Sequence, residues 1–595
     1  MSTKTHVETR SKKIINNPYA VVDEALNGAV LSNNDVQLLN GHRVLIRRDV
    51  DCVRERSLVA LISGGGSGHE PAHAGFVGHG GLTAAVAGDV FTSPPTRSVL
   101  ATIRAVGASN EGGVLLIVKN YTGDRLNFGM AAERAKQEGI KVDIVVVNED
   151  CALASVDKTS GRRGLCGTVI IHKIAGAMAE TGASLEEMVP FLQDTIKNMG
   201  TMGVSLSPCS IPGSQPSFHL ADDEIELGLG IHGEKGVERI KLLTAKQLVQ
   251  RMVEHMSTES EAETNKFYLK KGDKLGLMVN NLGGTTQLEL YIVAKEAVQY
   301  LKTKKGVEVE RIYVGTFMTS LEMAGVSITL LHLNEDRKKY LDFETRIPGW
   351  PRVFGDQNTP NPLEGYEPVN RESGDDMKVK GQALTSGGRK LYNCLLKIAE
   401  TLEANEERLN NLDRLAGDGD CGSTLKRAAI GIKDTLGNIE SCGIPCNTPY
   451  QALIVLSDII EDRMGGSSGA LYSLFLLAGV EQIKDNVEPM QWCKAFECGI
   501  QAIMRYGGAQ EGYRTMLDAM CPAVLELKKG LKNSDKPLES FQKAVKAAED
   551  GAQNTAKMQA QAGRASYIGS SILSEPDPGA VAVALWMNAI CAALK

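Results

Sequence analysis

The feature that most constrains this chain is a change of hydrophobic period near its middle. Before about residue 348, short apolar runs such as Leu58–Ser63, Val114–Val118, Val142–Val147, Leu275–Val279, Arg311–Val314 and Ile328–Leu333 recur between helical stretches. After Leu391 such runs nearly vanish and the spacing becomes helical, as in Leu391, Leu395, Ile398 and Leu402. Runs of four to eight apolar residues bounded by turns fit buried strands, and a period of 3.6 fits amphipathic helices. With 595 residues the chain is too long for one core. The expectation is an α/β unit of two lobes, at 1–190 and 191–347, then a linker at 348–386 rich in Pro, Gly, Asn and charge. An all-α domain follows at 387–595.

Several strands of the first part run straight into polar turns. Leu58–Ser63 feeds Gly64-Gly65-Gly66-Ser67-Gly68-His69-Glu70-Pro71-Ala72-His73, Val114–Val118 feeds Lys119-Asn120-Tyr121-Thr122-Gly123-Asp124, and Val142–Val147 feeds Asn148-Glu149-Asp150. Open α/β sheets bind ligands at that edge. The glycine loop is neither a Walker A loop nor a dinucleotide fingerprint. His69, beside the glycines, is the better ligand candidate, and His73 reads as a locally bonded residue at a helix start. Gly161-Arg162-Arg163-Gly164-Leu165-Cys166-Gly167 reads as a turn with solvated arginines, opening a helix near Thr168.

Gly228-Leu229-Gly230-Ile231-His232-Gly233-Glu234 places one imidazole among three glycines. A neutral imidazole presented by such a turn is able to attack a carbonyl and hold it covalently. Taken alone, the stretch reads more readily as a surface-turn histidine bonded to backbone.

All ten histidines precede residue 333, so the helical part has no histidine for a base or a metal ligand. It carries instead Asp413, Asp418 and Asp420 within Asp413-Arg414-Leu415-Ala416-Gly417-Asp418-Gly419-Asp420-Cys421-Gly422-Ser423-Thr424. Carboxylates so close repel one another unless a cation intervenes, and oxygen-only ligation points to Mg²⁺ or Ca²⁺. The spacing is not that of an EF-hand; Mg²⁺ completed by phosphate oxygens implies a nucleoside triphosphate, whereas a solvated acidic turn is the plainer alternative. Met464–Gly469 and Pro576–Gly579 are glycine turns at helix ends, where free N–H groups suit phosphate.

A net charge of −7 argues against a general nucleic-acid or membrane-surface binder. Twelve cysteines without a CxxC pair read as reduced thiols. The polar Met1–Asn17 start and the short apolar Ala580–Leu594 segment offer neither a signal peptide nor a membrane span, so a cytoplasmic protein is expected.

Taken together the chain resembles the ATP-dependent dihydroxyacetone kinases, most closely their animal triokinase/FMN cyclase form. The motifs are GGGSGHEPAHAG (64–75), VKNYTGDRLNFG (118–129), GRRGLCGTV (161–169), GLGIHGE (228–234), LDRLAGDGDCG (412–422), MGGSSGALY (464–472), GRASY and DPG. The resemblance implies an α/β substrate domain and a helical-barrel nucleotide domain. It implies dihydroxyacetone held as a hemiaminal on His232; His219 lies outside the motif. Gly66, Ser67, Gly68, His69 and Lys119 would line the substrate site, and Asp124, helped by His69, would take the proton from the phosphorylated hydroxyl. Asp413, Asp418 and Asp420 would hold Mg²⁺ on ATP. Cys421, Gly422, Ser423, Thr424, Ser467, Ser468, Gly507, Thr515, Met516, Arg564, Asp577, Pro578 and Gly579 would contact the nucleotide.

The same resemblance implies D-glyceraldehyde as a further acceptor, and a lyase activity, favouring Mn²⁺ or another divalent cation, that splits FAD into AMP and cyclic FMN. It also implies a homodimer and, in animals, an innate-immune RNA-sensor partner. Transfer then needs the helical domain to dock over a substrate domain of its own or a partner chain. Some relatives are non-catalytic regulators, which is the alternative reading; retention of His232, Asp124 and the three aspartates argues against it. One departure stands out: the family's Gly-Asp-Arg/Lys-Thr-Met is Gly512-Tyr513-Arg514-Thr515-Met516 here, removing a carboxylate that bears on nucleotide affinity or loop capping.

Overall fold

The computed structural model describes residues 12–153, 161–216, 218–260, 266–351, 383–415, 417–562 and 575–595. The chain divides into two compact units, 1–364 and 365–595.

The first unit is built on two six-stranded sheets. In the first sheet the strands are β1 (Val36–Leu38), β2 (Val44–Arg47), β3 (Ala60–Ser67), β4 (Ala84–Val90), β5 (Val114–Lys119) and β6 (Val142–Val147). Their order is β1-β2-β4-β3-β5-β6, with β4, β3, β5 and β6 mutually parallel and β1 and β2 added antiparallel. The parallel part is the βαβ arrangement expected from the repeated apolar runs. Alternation along these strands feeds two separate cores. Ala60, Ile62, Val114, Leu116 and Val118 pack with residues of the helices Thr96–Gly107 and Thr122–Gln137. Leu61, Leu115, Ile117, Val145 and Val147 face the helices Gly167–Glu180 and Leu185–Lys197.

The second sheet contains β7 (Met199–Ser205), β8 (Glu224–Leu227), β9 (Glu238–Lys241), β12 (Lys274–Asn281), β13 (Glu308–Gly315) and β14 (Gly325–His332), in the order β13-β12-β14-β7-β8-β9. A separate parallel pair joins β10 (Ser257–Thr258) to β11 (Phe267–Tyr268). Only β12 and β13 pair in parallel; the rest of this sheet is antiparallel. Met199, Met278 and Leu331 join the core that contains the Gly167–Glu180 helix, so that helix layer lies between the sheets. All residues from Gly167 to Ala179 are buried, as a helix covered all round requires. The opposite face, with Leu277, Val279 and Ile328, is closed by the helices Ala245–Met256 and Gln287–Tyr300.

In the second unit eight helices pack in sequence, each on the next, and the last returns to the first. They are Ser386–Ala404, Cys421–Leu436, Pro449–Met464, Gly466–Val480, Pro489–Gly507, Leu517–Lys532, Pro537–Asn554 and Pro578–Leu594. This is the closed helical barrel the resemblance implies. Four of them start with proline at the first helical position, where the missing N–H costs nothing. Among the described residues, no helix is long and apolar enough to cross a membrane.

Candidate active site

In the first unit the glycine loop forms the C-terminal end of β3. Gly68 has φ +100°, and a Cβ there would lie 2.9 Å from the Phe91 ring, so only glycine fits. His69 follows, fully buried. Its Nδ1 lies 2.8 Å from the backbone oxygen of Thr319 in the second lobe. A carbonyl only accepts, so Nδ1 carries the proton. Nε2 has no partner. Burial, with the charges of Lys119 and His232, holds the imidazolium form of His69 far below its usual range.

His232 comes from the loop after β8. Glu234 grips it twice, Oε1 accepting from the ring Nδ1 at 2.7 Å and Oε2 from the backbone N–H at 3.0 Å. With Nδ1 donating, the ring's nucleophilic lone pair lies at Nε2 in the neutral form. Burial alone would raise the Glu234 carboxyl; the hydrogen bonds and charges of His232 and Arg163 outweigh it and bring it to about 2. A Cβ on Gly230 would sit 1.9 Å from that carboxylate and 2.6 Å from the Arg163 guanidinium.

Arg163 corrects the sequence expectation of solvated arginines. It is buried, pairing with Asp150 Oδ2 at 2.6 Å and donating to the backbone oxygen of Gly228 at 2.7 Å. Burial makes a free guanidinium so costly that it is kept only by such partners. The motif thus holds the His232 loop. His73 is likewise not bonded only locally: its Nδ1 lies 2.9 Å from His172 Nε2.

Three aromatic rings surround His232 edge-on, with centroids at 4.8 Å for His69, 5.3 Å for Phe91 and 4.7 Å for Tyr121. Tyr121 belongs to the turn that carries Lys119 and Asp124. Lys119 closes β5, is fully buried, and its Nζ makes no hydrogen bond among the described residues. Burial lowers its pKa, opposed by Asp124, Glu234, Glu149 and Glu70. Asp124, in the first turn of the Thr122–Gln137 helix, is buried and accepts from Ser93 Oγ at 2.5 Å. Gly66 and Gly68 abut Phe91, His69 and His232 meet ring to ring, and Lys119 Nζ lies 5.7 Å from the Tyr121 ring. Ser67, by contrast, bonds the Gly88 oxygen, and Asp124 stands in the first turn of its helix on Ser93. Phe91, Thr319 and the clamp by Glu234 had no assigned role in the sequence; only Glu234, two residues from His232 within the motif, carried a local signal.

In the second unit Asp413 ends the helix Glu406–Arg414, and Asp420 precedes the helix Cys421–Leu436. Asp413, Asp418 and Asp420 each bring a carboxylate oxygen within 4.8 Å of the others. One oxygen of Asp413 accepts the backbone N–H of Asp420 (2.9 Å) and of Cys421 (3.2 Å), which fixes the loop. An all-oxygen, carboxylate-rich set fits Mg²⁺. Burial, with Asp413, Asp577 and Asp420 close by, pushes the Cys421 thiol up to about 12.

The expected nucleotide contacts fall at helix ends. Cys421, Gly422, Ser423 and Thr424 open one helix, and Ser467 and Ser468 open another after Gly465. Gly507 closes a third, and Thr515 and Met516 precede a fourth. Asp577 caps the last through Ala580 N–H, with Pro578 and Gly579 in its first turn. A Cβ on Gly579 would lie 3.6 Å from Met516 Cβ, so these two turns meet. Ser423 is satisfied within the protein, bonding Glu406 and Asn410. Arg564 and its motif lie outside the described residues. At the Tyr513 departure, Asp518 caps the loop, accepting from Gly512 and Thr515 N–H.

Family models match both parts of the chain, the Dak1 domain over residues 27–349 and the DAK2 domain over 415–592. The chain is 48% identical to the Triokinase/FMN cyclase of Homo sapiens, covering 98% of this chain and 100% of that protein. It is 43% identical to a putative 3,4-dihydroxy-2-butanone kinase of Solanum lycopersicum, covering 99% of each. The crystal structure of the dihydroxyacetone kinase from C. freundii in complex with AMP-PNP and Mg²⁺ matches with TM-score 0.67 and 34% identity, covering 98% of this chain and 100% of that one. With both domains, their order and nearly full length shared, the chain belongs to the dihydroxyacetone kinase family.

Proposed function

We propose that the protein transfers the γ-phosphoryl group of ATP to dihydroxyacetone, and to D-glyceraldehyde, with the acceptor held on His232. The observation that carries this is the Glu234 clamp, which commits Nδ1 of His232 and leaves Nε2 as the free nucleophile beside His69. Nε2 bonds to the carbonyl carbon, the C=O π bond opens to an alkoxide that takes a proton from solvent, and the Nδ1 proton leaves by way of Glu234 to solvent, so that no net proton is gained or lost. The product is a neutral hemiaminal. Covalent capture fixes a small substrate that offers few other handles. Asp124 then accepts the proton of the attacking hydroxyl, with His69 accepting a hydrogen bond. Mg²⁺ on Asp413, Asp418 and Asp420 would offset charge on the transferring phosphoryl group. Cys421 to Thr424, Ser467, Ser468, Gly507, Thr515, Met516, Arg564 and Asp577 to Gly579 would hold the nucleotide.

The reading assigns 1–190 and 191–347 to the substrate lobes, 348–386 to the linker and 387–595 to the nucleotide domain. It includes a second activity, splitting of FAD into AMP and riboflavin cyclic 4′,5′-phosphate at the metal–nucleotide site with Mn²⁺, supported by the name of the human relative. It also includes a cytoplasmic homodimer and, by resemblance, an innate-immune RNA-sensor partner.

The test is Mg-ATP-dependent phosphorylation of dihydroxyacetone by the purified protein beside His232→Ala, with FAD splitting measured on both. Phosphorylation by the wild type alone, with FAD splitting by both, is expected. Loss of FAD splitting in His232→Ala contradicts the site assignment. A wild type that binds ATP but phosphorylates nothing leaves the lyase or a regulatory role.

A further inference from the structure

Asn280, near the end of β12, is fully buried in the second lobe, and its amide uses its whole hydrogen-bonding capacity. Oδ1 accepts the backbone N–H of Phe317 at 2.9 Å and of Met318 at 3.0 Å. Nδ2 donates to the Met318 oxygen at 2.7 Å and to Ser327 Oγ at 3.1 Å. Two N–H donors facing one amide atom identify that atom as oxygen, so the orientation of Asn280 is settled by its partners.

The chain it grips runs directly into Thr319. The Thr319 N–H donates to the His69 oxygen at 3.1 Å, Thr319 Oγ1 donates to the Glu70 oxygen at 3.0 Å, and the Thr319 oxygen accepts from His69 Nδ1. Leu321 N–H donates to the Gly68 oxygen at 2.8 Å. The second lobe therefore grasps the glycine loop of the first by its backbone and orients its one functional ring. Leu321 (φ 53°) and Phe91 (φ 55°) are both left-handed without being glycine, and both flank Gly68. Such conformations persist only where the surroundings over-determine them.

We infer that Asn280, by fixing Met318 immediately before Thr319, aims the Thr319 carbonyl at His69 Nδ1, sets the tautomer of His69 and so makes Nε2 a hydrogen-bond acceptor for a hydroxyl group of the bound triose. Asn280 is a positioning residue; it acts through Thr319 and His69. The inference rests on the triose reading of the site. With Nδ1 protonated, Nε2 matches a donor such as a hydroxyl and leaves a ketone or ether oxygen at that place unpaired. If Met318 were released and Thr319 turned with it, Nδ1 would lose its acceptor, the proton would be free to move to Nε2, and the match would invert. Selectivity for a hydroxylated acceptor is then written at the end of β12, on a different strand of the same lobe that carries His232.

The experiment uses full-length protein labelled with ¹⁵N-histidine, with long-range ¹H–¹⁵N correlation to read each ring's tautomer. The His69 signals are assigned by their loss in His69→Gln. Wild type should show His69 in the Nδ1–H form. Asn280→Ser should show a mixture or the Nε2–H form, with kcat for dihydroxyacetone lowered about tenfold or more and KM for ATP unchanged. Asn281→Ala, which removes the acceptor for Gly283 and Thr285 N–H in the same loop, should keep the wild-type tautomer. If Asn280→Ser does not fold, Thr319→Gly, which keeps the carbonyl but frees its peptide, should shift the tautomer in the same way. A folded Asn280→Ser or Thr319→Gly protein with the wild-type tautomer, or an equal shift in Asn281→Ala, overturns the inference. The tautomer is read without substrate. A tautomer shift in Asn280→Ser, beside a wild type that phosphorylates no triose, therefore keeps the positioning of His69 by Asn280 and refutes the proposed function.

Discussion

Glu234 binds His232 by both carboxylate oxygens, one to the ring at 2.7 Å and one to the backbone at 3.0 Å. Ring and main chain are thus fixed by a single group. Removing its charge should disturb the orientation of both the ring and its loop. Glu234→Gln is expected to lower kcat/KM for dihydroxyacetone by about 10–100-fold, the size of effect typical for groups that orient a reacting ligand. FAD splitting, assigned to the other unit, should be unchanged. The carboxyl sits near 2, below its ordinary 4.5, so its stabilising contribution is present above about 4.5 and is lost as pH falls toward 2. Thermal unfolding of wild type and variant should therefore converge in strong acid.

Gly230 tests the same clamp from its steric side. Because a methyl group at this position would sit 1.9 Å from Glu234 Oε2 and 2.6 Å from Arg163, something must move. Gly230→Ala should cost phosphorylation about as much as Glu234→Gln does, on the order of 10–100-fold. A steady-state assay beside a melting curve separates local displacement from unfolding: activity should fall in protein that still melts cooperatively.

The parts of this architecture that local sequence displays are those whose cause is local. A strand feeding a glycine turn, as at Leu61 to Gly68, shows in period and composition, and three carboxylates in eight residues announce a cation at Asp413 to Asp420. The parts that were not legible depend on pairing between distant segments. β7 reads Met-Gly-Thr-Met-Gly-Val-Ser and lacks the continuous apolar run of a buried strand. Its glycines serve neighbours from elsewhere: a Cβ on Gly200 would lie 2.8 Å from Cys151 Sγ and 2.9 Å from Phe267. Thr319 is 250 residues from the histidine whose tautomer it reads, and it acts by a backbone oxygen that every residue possesses. Arg163 reads as a solvated charge because nothing in Gly-Arg-Arg-Gly distinguishes a buried guanidinium from an exposed one. Asp150 and Gly228 O do that, and they meet it only in the fold.

Glu149 provides a pH dependence of stability with a definite sign. Its side chain is fully buried; Oε1 accepts from the N–H groups of Leu165 (3.0 Å) and Gly167 (2.8 Å), and Oε2 has no partner among the described residues. Burial outweighs those bonds and raises the carboxyl from 4.5 to about 7. The folded state therefore binds the extra proton between these values. The contribution is fully present below about 4.5 and is lost as pH rises through 7. Glu149→Gln keeps an acceptor for the two N–H groups and has no proton to lose. The difference in Tm between variant and wild type should grow with pH across 4.5–7, reaching about 2–5 °C in favour of the variant at pH 8. A difference that stays flat across that range would show that Glu149 does not titrate in the folded protein.

Asp420 allows the metal reading to be tested apart from activity. It is exposed, it stands before the helix Cys421–Leu436, and its carboxylate converges with those of Asp413 and Asp418. Three negative groups within 4.8 Å repel one another when no cation is bound. Asp420→Asn relieves part of that repulsion without touching Asp413, whose oxygen holds the loop through the N–H of residue 420 whatever its side chain. The metal-stripped variant should therefore melt at or above the temperature of the metal-stripped wild type. Adding Mg²⁺ should raise Tm in the wild type, because a ligand that binds only the folded state stabilises it, and should raise it much less in the variant. Phosphorylation of dihydroxyacetone and splitting of FAD should both fall about 100-fold or more, since each is assigned to this cation. A variant that loses one activity and keeps the other would separate the two sites. A wild type whose Tm ignores Mg²⁺ and Mn²⁺, alone and with ATP, would leave the three aspartates as a solvated turn.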